Sequence, residues 1–280
     1  MDNLGLIAAL GAALAWGSYA VPFKKSRSEN FVQFQALMGV GILISGLILS
    51  RVLGYSINLN IYGIIGGILW ASANLISLTA ISNLGLSRAA PVMASIVILC
   101  SFLWGVLVFQ EIPSGLILGF IGIGLIITGV ILVSTTTKVV SQNVKKGLIA
   151  AVLAGLIWGS QLTPLKIGKL TTEDFFFSSC FGIFATAMLI ALVTKLKFKK
   201  EAYKESLLSG IVWNIGNILS IVSISIIGLA KGLPISQLAS LVAVGWGIFY
   251  FKEITQKKKI LQVLLGTATL FIGVIVLGLA

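Results

Sequence analysis

The sequence predicts an all-α integral membrane protein: ten transmembrane helices arranged as two inverted five-helix repeats. Three observations lead there. The 280 residues are 58% hydrophobic and only 10% charged, with a mean hydropathy of +1.08; a soluble domain could not cover itself with so few charges. The apolar residues fall into runs of about 20, the length that crosses a bilayer as helix. Finally, one half of the chain repeats the other. The net charge of +12 does not point to nucleic acid, because the Lys and Arg lie in short segments between apolar runs, where they orient the chain against the bilayer and its headgroups.

In order, the predicted spans are 4–23, 31–53, 61–81, 89–109 and 112–133, then 147–165, 175–193, 207–227, 233–251 and 260–279. They are continuously apolar rather than alternating, so they are read as helices and not as barrel strands. The first run has no basic segment before it, and its repeat partner lies in mid-chain. It is therefore read as a permanent span, not a signal peptide. Ten spans leave short loops and no soluble domain.

The repeat is clearest at Trp16-Gly17-Ser18 with Pro22 and Lys24, which recurs as Trp158-Gly159-Ser160 with Pro164 and Lys166 at an offset of 142 residues. Trp70, Asn74 and Ser77 recur as Trp213, Asn217 and Ser220 at an offset of 143, as do Gly85, Arg88 and Pro91 in Gly228, Lys231 and Pro234. Trp104 and Glu111 return as Trp246 and Glu253, again at 142. The repeats are placed at 1–137 and 138–280. Five spans is an odd number, so the second half enters from the opposite face, the architecture that many carriers use for alternating access. Only Arg51, Lys166, Lys169 and Lys231 fall on the side of the termini, while the other sixteen of the twenty Lys and Arg lie opposite. The positive-inside rule then places both termini on the non-cytoplasmic side, in what is expected to be a cell (plasma) membrane.

Most catalytic chemistry is excluded. The chain has no His, which removes His-based metal sites, triads and proton relays. Cys100 and Cys180 lie in apolar runs without metal or disulfide spacing and are expected to be structural. No phosphate-binding loop is present. The eight carboxylates (Asp2, Glu29, Glu111, Glu173, Asp174, Glu201, Glu205 and Glu253) all avoid mid-span positions, where a proton-coupling group belongs. Glu111 and Glu253 close spans 4 and 9, either as interfacial groups or as titrating groups at a cavity mouth. The chain is read as a non-enzyme, with no cofactor and no metal.

The binding candidates are polar residues on spans 3 and 8. Trp70, Asn74 and Ser77 are spaced to share one helix face, and Trp213, Asn217 and Ser220 reproduce that stripe with Asn214 beside it. Indoles stack on the apolar face of a pyranose while amides pair with its hydroxyls. The competing reading is that each Asn bonds a neighbouring helix. Arg88 and Lys231 open spans 4 and 9 with Pro91 and Pro234. They either snorkel beside an ordinary helix start or present a positive group and a helix N-terminus to the substrate. Ser95 and Gln237, one turn further in, add hydroxyl and amide contacts. Trp16, Ser18, Pro22 and Lys24 on span 1, and Trp158, Ser160, Pro164 and Lys166 on span 6, are read as paired hinge-and-gate elements. Here Pro breaks the helix and Gly17 and Gly159 ease the bend; the alternative for each Lys is an interfacial anchor. Gly115 and Gly119 form a small-xxx-small pair that could support packing or a homodimer.

These motifs, Trp16-Gly17-Ser18 with Pro22 and Lys24, Gly67 to Asn74, Gly85 to Pro91 and Trp213 to Pro234, resemble the drug/metabolite transporter superfamily. Within it they resemble the glucose, ribose and rhamnose-type sugar-uptake branch, over essentially the whole chain. The resemblance implies a secondary carrier with its site between spans 1–4 and 6–9 and with spans 5 and 10 peripheral. It also implies a small-molecule substrate, a monosaccharide first. A nucleotide sugar, a sugar phosphate or an exported amino acid is the alternative, and a non-transporting scaffold the third reading. No span-centre carboxylate or His supplies a proton site, so facilitated diffusion stays open.

Overall fold

A bilayer offers no water to unpaired N–H and C=O groups, so a spanning chain must satisfy them within itself. Accordingly, the described residues of the computed structural model form helices with no strand among them. Those residues are 2–26, 30–84, 86–111, 115–134, 143–200, 203–251 and 256–280.

The first half consists of α1 (Asp2–Ser18), α2 (Ala20–Ser26), α3 (Phe31–Leu53), α4 (Ile61–Leu84), α5 (Leu86–Leu103) and α6 (Leu116–Ser134). The second has α7 (Val144–Ser160), α8 (Thr163–Ile167), α9 (Thr172–Val193), α10 (Tyr203–Ile227), α11 (Leu229–Ser236), α12 (Ala239–Gly245) and α13 (Lys257–Leu279). Both α5 and α12 run on into a π-helical turn, Trp104–Val108 and Trp246–Tyr250 respectively. Among the described residues, eight helical stretches are long and apolar enough to cross a membrane. The predicted runs 89–109 and 112–133 correspond to two shorter apolar helices, Val92–Val108 and Leu116–Leu132.

Three predicted spans are broken rather than continuous. Pro22 and Pro164 lack the N–H that would bond back to the carbonyls of Ser18 and Ser160. Each break falls three residues before its proline, at Tyr19 and at Gln161–Leu162. The Thr163 hydroxyl donates to the freed Ser160 carbonyl at 2.7 Å. The third break, at Gln237–Leu238, divides the predicted ninth span into α11 and α12 just after Pro234. No sequence expectation covered it.

Helix association in lipid depends on close packing and hydrogen bonds rather than on a hydrophobic driving force. Gly41 of α3 lies against the Leu207 carbonyl of α10, and Gly210 of α10 against the Met38 carbonyl of α3, so neither position has room for a Cβ. Packing pairs recur between the halves: α1 with α10 and α7 with α4, then α3 with α10 and α9 with α4. The α6 and α13 helices pack chiefly on each other, with Gly129 of α6 against the Gly266 carbonyl. Gly115 meets Ala280, and a Cβ on Gly119 would lie 3.0 Å from the Phe102 ring. That glycine pair is therefore used inside the chain. The outer surface is strongly apolar, with Leu192, Ile117 and Phe249 all exposed, while the amides of Asn74, Asn214 and Asn217 are buried.

Candidate functional site

The breaks position the site. A cavity of about 140 Å³ lies between the halves, room for on the order of ten water molecules and so for one small polar molecule. Tyr19, Gln161 and Gln237, one residue from each helix break, all line it. Five of the six tryptophans share the wall: Trp16, Trp70, Trp158, Trp213 and Trp246. The Trp70 and Trp213 rings meet with centroids 4.2 Å apart and planes tilted by 47°. Trp16 stacks on Trp213 at 6.1 Å and 14°. Met93, Ala94 and Val97 of α5 and Ala239, Ser240 and Ala243 of α12 complete the apolar floor. Among the described lining residues none is charged.

The predicted stripe divides. Trp70 and Trp213 reach the cavity, as does Gln237. The asparagines are on the same helices but do not line it. Asn74 donates its Nδ2 to Gln35 Oε1 on α3. Asn214 donates to the Ile42 carbonyl at 3.2 Å and to Ser45 Oγ at 3.0 Å, and its Oδ1 accepts from Cys180 Sγ at 3.2 Å and from Asn217 Nδ2 at 3.4 Å. These amides join helices. A buried amide needs its donors and acceptors satisfied, and neighbouring helices lie closer than the cavity. Ser77 donates to the Asn74 carbonyl at 2.6 Å, and Ser220 is fully buried away from the wall. Cys100 and Cys180 are both free, Cys100 lying 3.5 Å from Ser160 Oγ.

The hinge-and-gate residues show a two-fold pattern at their serines. Trp246 Nε1 donates to Ser18 Oγ at 2.9 Å, and Trp104 Nε1 donates to Ser160 Oγ at 3.0 Å. Trp16 and Trp158 lie on the cavity wall itself. Pro22 is half-buried within α2, and Pro164 is buried at the start of α8. The Lys24 and Arg88 side chains, and residues 252–255 including Glu253, lie outside the described residues.

Lys166 does not point into the cavity. Its Nζ pairs with Glu111 Oε1 at 2.9 Å, and Glu111 Oε2 accepts the Ala230 N–H at 2.7 Å. The carboxylate thus caps the N-terminus of α11, where the helix dipole favours it. Gly228 makes this approach feasible: its φ of +83° is left-handed, and a Cβ there would lie 2.8 Å from the carboxylate. Lys231 is half-buried next to this cap and is not a wall residue. The α11 terminus, for which facing substrate is one of two sequence readings, is occupied by a side chain from the end of the fourth predicted span. The same two-fold relation breaks down here. Trp246 and Phe251 line the cavity, whereas their counterparts Trp104 and Phe109 pack together at 6.5 Å beside the Glu111–Lys166 pair.

Sequence reasoning did not name Tyr19, Gln161, Ser240 or Trp246 as wall residues. A signal existed for two of them: Tyr19 and Gln161 are repeat counterparts, each three residues before its proline.

The family model for sugar transport proteins matches residues 6–280. The chain belongs to the sugar transport protein family. Relatives in this family extend over the full length. A putative sugar uptake protein of Listeria innocua is 27% identical over 285 residues, and the glucose uptake protein of Bacillus subtilis is 25% identical over 290 residues; in both cases 99% of each chain is covered. A putative sugar uptake protein of Bacillus anthracis is 25% identical over 288 residues at the same coverage. One solved crystal structure, 14% identical, superposes with a TM-score of 0.72 over 97% of this chain and 95% of the other, a likeness of fold. This sugar transport protein is accordingly a multi-pass membrane protein, and its family points to transport rather than catalysis.

Proposed function

We propose that this protein is a secondary carrier that moves a neutral monosaccharide through the bilayer by alternating access. The observation that carries the proposal is the cavity: uncharged, walled by indoles, and formed where three broken helices meet. Aromatic faces suit the apolar face of a sugar ring, and breaks in membrane helices are tolerated where they line such a cavity. A sugar phosphate or nucleotide sugar would need cations on the wall, and an amino acid would need both charges countered. None of the described wall residues supplies them, and Lys166 is committed to Glu111. The names of the relatives agree with a sugar substrate.

The architecture in this reading has ten spans in two inverted repeats, 1–137 and 138–280, as in the drug/metabolite transporter superfamily. The recurring packing pairs and the paired Trp–Ser bonds support it. The protein sits in the plasma membrane with both termini outside. Glu111, Lys166 and the α11 N-terminus then form the outer gate, closed here, while the cavity extends toward Trp246 and Phe251 on the cytoplasmic side.

Reconstitution into liposomes tests this. Labelled D-glucose, D-ribose and L-rhamnose are offered beside a nucleotide sugar and amino acids, with and without a proton gradient. Saturable uptake of at least one monosaccharide is expected; saturable uptake confined to charged compounds would sink the reading. Uptake indifferent to the gradient identifies a facilitator.

A further inference from the structure

Three residues of the cavity wall carry a buried polar side-chain atom with no hydrogen-bond partner among the described residues: Trp16 Nε1, Trp158 Nε1 and Gln161 Oε1. The last two belong to one helix end. Gln161 terminates α7, passing its backbone N–H to the Trp158 carbonyl at 3.3 Å. Buried donors and acceptors are nearly always paired, and an orphan calls for an explanation.

Trp16 Nε1 is also unpartnered, but its surroundings differ. A Cβ on Gly216 of α10 would lie 2.5 Å from Trp16 Cδ1 and 2.7 Å from Nε1. That edge of the indole is lodged against α10, and its face rests on Trp213. The counterpart of Gly216 in the other half, at the 143-residue offset, is Ala73. A methyl group thus stands where a like-docked Trp158 would need a bare Cα. The duplicated motif is therefore used unequally, with Trp16 serving as a packing ring and Trp158 left with a free N–H.

We infer that Trp158 and Gln161 are the residues that read the substrate's hydroxyl groups, with Trp158 Nε1 donating to one hydroxyl oxygen and Gln161 Oε1 accepting from a hydroxyl. This rests on the sugar reading above and narrows it. A hydroxyl both donates and accepts, so a polyol satisfies both atoms. A carboxylate or phosphate dianion has no proton for Gln161 Oε1, and an apolar molecule satisfies neither. Sites built to bond a hydroxyl reject the analogue that lacks it far more strongly than apolar pockets reject a missing methylene. The pair thus sets which hydroxyls are recognised, while the stacked indoles hold the ring.

The test is calorimetric binding to purified full-length protein, using D-glucose, D-ribose, L-rhamnose and the monodeoxy series of whichever binds. In the wild type, removal of one particular hydroxyl should weaken binding about tenfold. Gln161→Leu should weaken the parent sugar by a similar factor and bind that deoxy analogue no worse than the parent. Trp158→Phe, which keeps an aromatic face, should do the same at a second hydroxyl. Gln161→Asn, retaining the amide at a shorter reach, guards against misfolding, with monodisperse elution required of every variant. Sugar binding by the wild type that both variants leave unchanged overturns the assignment alone. A wild type that binds no monosaccharide overturns the sugar reading and the assignment together.

Discussion

Asn214 is fully buried and its amide bonds to α3 and to Cys180 and Asn217 around it. Replacing it with Leu leaves Ser45 Oγ, the Ile42 carbonyl and the Asn217 amide short of partners, a loss of about 1–3 kcal/mol. Asn214→Leu should therefore lower the thermal transition of the purified protein while leaving the sugar affinity of the folded fraction near wild type. Unchanged stability with abolished binding would instead place Asn214 in the site. The stripe spacing of Trp70, Asn74 and Ser77, and of their second copies, reveals which residues share a helix face. It does not reveal how wide that face is, and the indoles reach the cavity while Asn74 turns to Gln35 of α3 and Asn217 bonds Asn214 within α10.

The elements that change during transport are expected to be the broken ones. In α7–α8 the interruption follows from proline chemistry, while α11–α12 breaks just after Pro234, and in each case the break delivers a Gln to the cavity wall. The Glu111 carboxylate joins two of these elements, since it pairs with Lys166 on α8 and caps α11. Both partners are largely buried, with 12% and 29% side-chain exposure, so solvent screens the pair only partly. Glu111→Leu removes both interactions and, with the pair acting as the proposed gate, should lower the uptake rate about tenfold or more. Glu111→Gln keeps an acceptor for the Ala230 N–H and should fall between that variant and wild type. Equal rates for all three proteins would show that the contact is not a gate. A charge swap, Glu111→Lys with Lys166→Glu, restores the ion pair but not the helix cap, and should recover only part of the rate.

At the scale of the whole molecule, the charge asymmetry and the internal repeat make a joint prediction about orientation. With sixteen of the twenty Lys and Arg on the face opposite the termini, single cysteines placed at Asn3 and at Ala280 in a Cys100→Ser, Cys180→Ala background should both react with a membrane-impermeant reagent applied to intact cells. Labelling of only one of the two would rule out the even span count. Labelling of neither would reverse the assignment of faces.

The membrane class, the duplication and two of the three helix breaks, those before Pro22 and Pro164, were legible in the sequence. Each depends on composition or on chemistry local to the chain: apolar runs of spanning length, the offset of about half the chain, and prolines that cannot donate an N–H. The inside of the molecule was decided by tertiary structure. Helix rotation depends on the neighbours each helix meets, and the sequence carries no direct record of that. Only the packed bundle shows that Asn74 meets Gln35, that Glu111 reaches the start of α11, and that Gly216 admits Trp16 where Ala73 stands in the other half. The repeat is only approximate as a sequence, and where the halves differ, as at Gly216 and Ala73, the packed bundle puts them to unequal use.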